Sequence, residues 1–323
     1  MPQVHGPDPD SAAEKRLVLG SLLMSASALT QAILASIIKW ASHGFSTEFL
    51  LAIRFWMSLL FFLSTQPRAF KRDLADCLRP SLLAVQGLCY AAGVFSLYLS
   101  VRYVHLVVAV LLINTSPIFA HLFSWLIYRK RESLVVWLGL VIGMAGVIVV
   151  VKPGAEGFQP AALLGLAAGA LLGLQMALSA ELLKRESKHR IAMSAQVYGV
   201  IVASIAALIV GVEPTDWQKV LFPYPDWGKP WLEYPGLILA LLIMGLFSAL
   251  TPLFTTHAYK FGSVGQLTPF RFTGIIFAGF IGWLIWGTVP ALTTLLGFVL
   301  IVAGGVCAVL GGRTRHPHEA SHT

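Results

Sequence analysis

The sequence predicts an all-α polytopic membrane protein with ten transmembrane helices in two inverted five-helix repeats, and three observations carry that prediction. The first is composition: of 323 residues, 57% are apolar or aromatic and only 12% are charged, about half the charge of a soluble domain. That is too little to cover a compact body in water. The second is a succession of apolar runs of roughly membrane length. The third is an internal repeat whose unit holds an odd number of helices.

The runs lie at 17–38, 47–66, 81–101, 105–127, 134–151, 160–182, 191–211, 236–257, 264–286 and 290–311, and are numbered helices 1 to 10. The first outlasts the apolar stretch of a signal peptide and nine more follow it, so it reads as a span. Four regions result: an N-terminal tail (1–16), a first repeat (17–151, helices 1–5), a second repeat (160–311, helices 6–10) and a C-terminal tail (312–323). The connection 212–235 carries Trp217, Phe222, Tyr224, Trp227, Trp231 and Tyr234, and such residues favour the headgroup layer, where the loop forms an interfacial lid.

The net charge of +8 is explained by where the cations stand. With the N-terminus cytoplasmic, 16 Lys and Arg fall on that side and five on the other, while Arg54 and Arg271 lie within helices. This is the positive-inside pattern. It places both termini in the cytoplasm of a multi-pass plasma membrane protein and makes a nucleic-acid partner unnecessary. Cys77, Cys89 and Cys307 have no paired spacing, so neither a disulfide framework nor a metal site is expected. No phosphate-binding GxxxxGK[ST] loop occurs, hence no ATP hydrolysis by this chain and no cofactor.

An ungapped shift of 158 lays Thr115 to Tyr128 over Thr273 to Trp286 with seven of fourteen positions identical, and pairs Leu138-Gly139 with Leu296-Gly297 and Ala145-Gly146 with Ala303-Gly304. A weaker shift of 144 lays Gln31 over Gln175. Helices 1–5 therefore recur as 6–10. Because five is odd, the second copy is inserted upside down, the plan of secondary transporters that work by alternating access. Gly165, Gly169 and Gly173 share one face of helix 6, and Gly139 and Gly143 one face of helix 5, which suits close helix packing.

The two halves, the stretch from Tyr98 to Pro117, Arg54 in helix 2, and the run Pro269-Phe-Arg-Phe-Thr-Gly followed by Gly-Trp-Leu-Ile-Trp-Gly287 resemble the EamA family of the drug/metabolite transporter superfamily. The resemblance implies a ten-helix carrier of small organic solutes such as amino acids in a bacterial inner membrane, with a cavity bounded mainly by helices 1, 3, 4, 6, 8 and 9. Family members commonly carry an acidic residue near the end of helix 9, where this chain reads Gly287-Thr288-Val289-Pro290, and a proline after helix 3 where His105 stands.

Polar groups inside spans are expensive and tend to face a cavity or a partner helix. The substrate-binding candidates are Gln31, Asn114, Thr115, His121, Gln175, Arg271 and Thr273. Pro117 and Pro269 are expected to interrupt helices 4 and 9, because proline removes a backbone donor and clashes with the preceding turn. Arg54 is assigned a structural role, as is usual for this place in the family. No carboxylate sits at mid-membrane, which disfavours lipophilic cations and favours anionic or zwitterionic metabolites. The expected function is secondary transport, in the efflux direction, of such a solute, with His121 available for proton coupling and no obligatory protein partner. The alternatives are a membrane scaffold or receptor, and an intramembrane enzyme, for which the sequence offers neither GxSG, HExxH nor paired buried acids.

Overall fold

The computed structural model describes residues 9–42, 46–65, 73–75, 77–79, 81–129, 133–151, 159–210, 235–258, 260–261 and 267–313. Every regular element among them is helical. Seven of the predicted runs, helices 1 to 7, and also helix 9 are long and apolar enough to cross a membrane. Helices 8 (Pro235–Ala258) and 10 (Leu292–Arg313) also form, with shorter apolar stretches at Leu242–Thr255 and Leu292–Cys307. The aromatic loop up to residue 234 lies outside the described residues, as do 1–8 and 314–323.

Helix 1 begins at Pro9, ahead of its expected start. Ala12, Ala13, Glu14, Lys15 and Arg16 are strong helix formers, and proline suits a first helical turn. Helix 4 is two pieces, Leu106–Ile113 and Ser116–Tyr128. Between them the Asn114 and Thr115 amides donate to Leu111 and Leu112 carbonyls, each at 3.1 Å, in place of the i−4 bonds. Pro117 falls in the first turn of the second piece, where its missing N–H leaves no bond unmade. Helix 9 repeats this design as a 3-10 turn, Thr268–Phe272, with Pro269 near its start, running into the α-helix Thr273–Trp286. Both second pieces end on a left-handed residue, Arg129 (φ 50°) and Gly287 (φ 62°), which are 158 positions apart. Glycine adopts that conformation without strain, whereas arginine does not.

Packing follows a pattern that survives exchange of the first five helices with the second five. Helix 3 packs on 6 and helix 8 on 1; helix 3 on 7 and 8 on 2; helix 4 on 6 and 9 on 1; helix 2 on 7 and helix 5 on 10. The last pair crosses on glycine. A methyl added to Gly304 would come 2.5 Å from the Gly139 carbonyl oxygen, and one added to Gly297 would come 3.0 Å from that of Gly146. Gly139 and Gly297 are repeat partners, as are Gly146 and Gly304, so the two contacts map onto each other. On helix 6, a methyl on Gly165 would meet the Leu112 side chain at 3.1 Å, one on Gly169 the Leu112 carbonyl oxygen at 2.7 Å, and one on Gly173 the Ser116 carbonyl oxygen at 2.8 Å. The glycine face thus seats helix 6 against the broken backbone of helix 4. Outward, large apolar side chains such as Leu134, Val141, Leu208 and Leu284 are exposed, as a lipid-facing surface requires.

Candidate functional site

A cavity of about 320 Å³ runs through the centre of the helix array. Helix 1 contributes Ser27, Ala28, Gln31, Ala32 and Ala35; helix 2, Arg54 and Ser58; helix 3, Tyr90, Val94 and Leu97. Helix 4 contributes Val110 and Ile113, its break Asn114, and the following turn Ser116. From the second half come Leu172, Gln175 and Met176, Gln196, Ser248, Thr251 and Thr255, and Arg271 with Gly274. Among the described residues the lining contains two arginines, three glutamines and no carboxylate. Helices 2 and 7 join the six bounding helices that the family resemblance implies.

Repeat-related positions line it in pairs. At the shift of 144 these are Ala28 with Leu172, Gln31 with Gln175 and Ala32 with Met176; at 158 they are Tyr90 with Ser248, Leu97 with Thr255, Ile113 with Arg271 and Ser116 with Gly274. The shift-144 pairs keep their polarity, while at the shift of 158 the positions repeat and the chemistry does not.

Toward the face where helix 1 begins, the cavity reaches Thr255, within a turn of the end of helix 8 at Ala258, and the exposed Arg271. Toward the opposite, far face it ends at Ala35, Leu97 and Val110. Along one wall helices 1 and 8 are joined by hydroxyls: Ser27 Oγ lies 2.7 Å from Thr255 Oγ1, and Thr30 Oγ1 lies 2.9 Å from Thr251 Oγ1. Ser27 also donates to the Thr251 carbonyl at 3.0 Å.

Of the sequence candidates, Gln31, Asn114, Gln175 and Arg271 share this cavity. Asn114 Nδ2 donates to the Val110 carbonyl at 2.6 Å and Gln175 Nε2 to Ser179 Oγ at 2.9 Å. Thr115 is fully buried, donates to the Leu112 carbonyl at 2.6 Å, and lies against Gly169 rather than on the lining. Thr273 donates to the Phe270 carbonyl at 2.6 Å, and neither it nor His121 is on the lining. Pro117 is buried at the start of the second piece of helix 4. Arg54, assigned to structure from the sequence, faces the cavity. Its Nε donates to Ser248 Oγ at 3.4 Å, and its guanidinium stands 5.0 Å from the Tyr98 ring centre and 5.4 Å from that of Phe55. Sequence reasoning passed over Ser27, Ser248, Thr251, Thr255 and Gln196. The first four carry a legible signal, because Ser27, Thr30 and Gln31, and likewise Ser248, Thr251 and Thr255, recur at helical spacing.

Two polar clusters brace the ends. On the far face Lys39 Nζ donates to the carbonyls of Val101 (2.8 Å) and Val104 (2.6 Å) and sits 5.8 Å from the Trp286 ring centre. Those carbonyls belong to the end of helix 3, where the last turn lacks intrahelical partners and the helix dipole favours a cation. One ammonium therefore ties helices 1, 3 and 9 together. On the near face Arg190 bridges Asp73, buried, at 3.0 Å and Glu186 at 2.7 Å.

Comparison with known proteins agrees with this architecture. A crystal structure of a protein 17% identical to this chain matches it with a TM-score of 0.51, over 94% of this chain and 98% of that one. The pseudopaline exporter of Pseudomonas aeruginosa is 30% identical over 227 residues, 68% of this chain and 72% of its own. The riboflavin transporter of Vibrio cholerae is 27% identical over 59% of this chain and 58% of its own, and the S-adenosylmethionine uptake transporter of Rickettsia felis 22% identical over 69% and 70%. The model of the EamA-like transporter family matches residues 18–152 and again 159–310. The chain is a multi-pass membrane protein and belongs to the EamA-like transporter family.

Proposed function

We propose that this protein is a secondary transporter that moves a small anionic or zwitterionic metabolite across the bacterial inner membrane by alternating access, in the efflux direction, with both termini in the cytoplasm. The observation that carries the reading is the central cavity of about 320 Å³, built from both halves, polar in part, and lined among the described residues by two arginines and no carboxylate. A scaffold needs no such space. The paired glycine crossings of helices 5 and 10, and packing pairs that survive exchange of the halves, support ten spans in two inverted repeats. Such a plan supplies two related packings between which access switches. The relatives' names cover both export and uptake and three different cargoes; the anionic class proposed here rests on the arginines.

The test is flux into sealed vesicles containing the purified protein and no ATP, with a pooled metabolite mixture outside and mass spectrometry of the contents. Entry of particular acids or zwitterions, reduced at least about tenfold in Arg271→Ala, supports the reading. An imposed pH gradient that drives accumulation would show proton coupling, and loss of that drive in His121→Ala would locate it. A folded, inserted protein that passes none of the pool, or only cations, overturns the reading.

A further inference from the structure

We propose that Arg54 is the carboxylate-binding group of the cavity, holding the acid end of the solute toward the far end while Arg271 receives it toward the near end. The inference rests on the transport reading for its biological meaning and on local geometry for its chemistry. Arg54 lies seven residues into helix 2 from Thr47, about 10 Å from that helix end at 1.5 Å per residue. A cation held at such depth is costly unless it is paired. Among the described residues no carboxylate pairs with it, and none lines the cavity it faces. What surrounds it is neutral: the Ser248 hydroxyl at 3.4 Å from Nε and the rings of Tyr98 and Phe55.

The rings fix the guanidinium by cation–π contact, and Tyr98 is itself almost wholly buried, at 2% exposure. A guanidinium presents five N–H donors in a rigid plane, more than one serine and one tyrosine hydroxyl can accept. The donors left over match the two oxygens of a carboxylate, which arginine binds bidentately. Arg271, in contrast, is exposed in the 3-10 turn at the near mouth, suited to attracting an anion and less suited to holding it. The two cations thus stand at different levels of one cavity, and Gln31, Gln175 and Gln196 lie on the same lining, available for the remaining polar groups of the solute.

The test compares acids with their own amides: acetate with acetamide, N-acetylalanine with its amide, phenylalanine with phenylalaninamide, and succinate with succinamide, at equal ionic strength. Thermal stabilisation of the purified full-length protein reports apparent affinity for each. At least one acid is expected to bind tenfold or more tightly than its amide, a preference that falls to about twofold or less in Arg54→Gln and is partly kept in Arg54→Lys, which retains charge without the fork. Arg54→Lys also covers the case in which the glutamine variant does not fold. The proposal is overturned if no acid outbinds its amide, or if the preference survives in Arg54→Gln. Vesicle flux in the same preparations separates the two claims. Acid binding through Arg54 without flux removes the transport reading and leaves the site, whereas flux with no acid preference removes the site and leaves the transport reading.

Discussion

Replacing Lys39 by methionine should unlock the far face. The ammonium makes two short bonds, 2.8 Å and 2.6 Å, to carbonyls at the end of helix 3, and stands 5.8 Å from the Trp286 ring centre on helix 9. A charge-assisted hydrogen bond contributes about 1.5–3 kcal/mol net and a cation–π contact about 0.5–1 kcal/mol. Part of this is offset by withdrawing the ammonium from water, so about 2–3 kcal/mol is a fair figure for the bias toward closure. At 1.4 kcal/mol per factor of ten, the closed-to-open ratio should fall about 30- to 150-fold. Methionine keeps the length and apolar stem of lysine, so packing changes little. The assay is labelling of Ala35→Cys, which lies on the lining near its far end and is 3% exposed, in a background with Cys77, Cys89 and Cys307 replaced. An impermeant maleimide offered at the far face should react slowly when Lys39 is present and at least about 30-fold faster in Lys39→Met. Thr255→Cys, labelled from the near face, should move the opposite way. If both rates are unchanged in a folded variant, Lys39 is only a cap on helix 3 and the cavity is closed by something else.

Three further outcomes follow from the packing. Gly304→Val should lower the thermal midpoint sharply, since even a methyl there would meet the Gly139 carbonyl oxygen and the Gly143 amide nitrogen at 2.5 Å, and overpacking of this kind costs about 1–3 kcal/mol or more; Gly279→Ala, whose nearest neighbour would be Val107 at 3.7 Å, should be tolerated. Arg190→Met should cost more stability than Asp73→Asn, because it withdraws a positive charge 3.0 Å from a carboxylate that is 1% exposed, whereas Asp73→Asn removes the buried negative charge and leaves Arg190 its Glu186 partner at 2.7 Å, and taking the counter-charge from a buried ion costs more than replacing the ion by a neutral group; equal losses in a denaturation series would show that burial does not set the balance. Thr115→Val should cost about 1 kcal/mol through its bond to Leu112 and leave vesicle flux within about twofold, since its side chain is buried against helix 6 and is not on the lining. A loss of flux in a stable Thr115→Val protein would return that hydroxyl to the solute path.

The helices were readable from the sequence because a lipid environment leaves few choices: backbone groups must bond within their own segment, and apolar length then marks each crossing. The break in helix 4 was readable for the same kind of reason, since Pro117 cannot donate. The site was harder. Hydropathy averages over a window, so Ser27, Ser248, Thr251 and Thr255, each a single hydroxyl in an apolar run, leave almost no trace in it, although their helical spacing puts them on one face. Arg54 shows the opposite case. It was conspicuous, but a sequence cannot say which way a side chain turns, and only the rings of Tyr98 and Phe55 and the proximity of Ser248 place it on the cavity. His121 and Thr273 stand out in the sequence by depth and repeat position, which fix the level along a helix and not the face.

The repeat itself explains why depth was insufficient. Its two shifts bring the same backbone positions to the cavity from each half, so the framework is close to symmetric: Gly139 meets Gly304 as Gly297 meets Gly146, and helices 4 and 9 break and end in corresponding places. Two access states require that framework to be nearly equivalent under exchange. A solute with a distinct charged end requires the lining to be otherwise. On the transport reading proposed above, the chain meets both demands by repeating small residues where backbones cross and varying the side chains that face the cavity. Ile113 stands where the second half has Arg271, Tyr90 where it has Ser248, and Leu97 where it has Thr255. In the first half the positive charge comes from helix 2 at Arg54, whose repeat position holds Tyr198, a residue off the lining. Among the polar lining positions only the glutamine pair, Gln31 and Gln175, keeps one chemistry on both sides. On the same reading, selectivity is expected from the departures from the repeat, and exchanging a departing pair, Ile113→Arg together with Arg271→Ile, should preserve the fold while changing which solutes the cavity accepts.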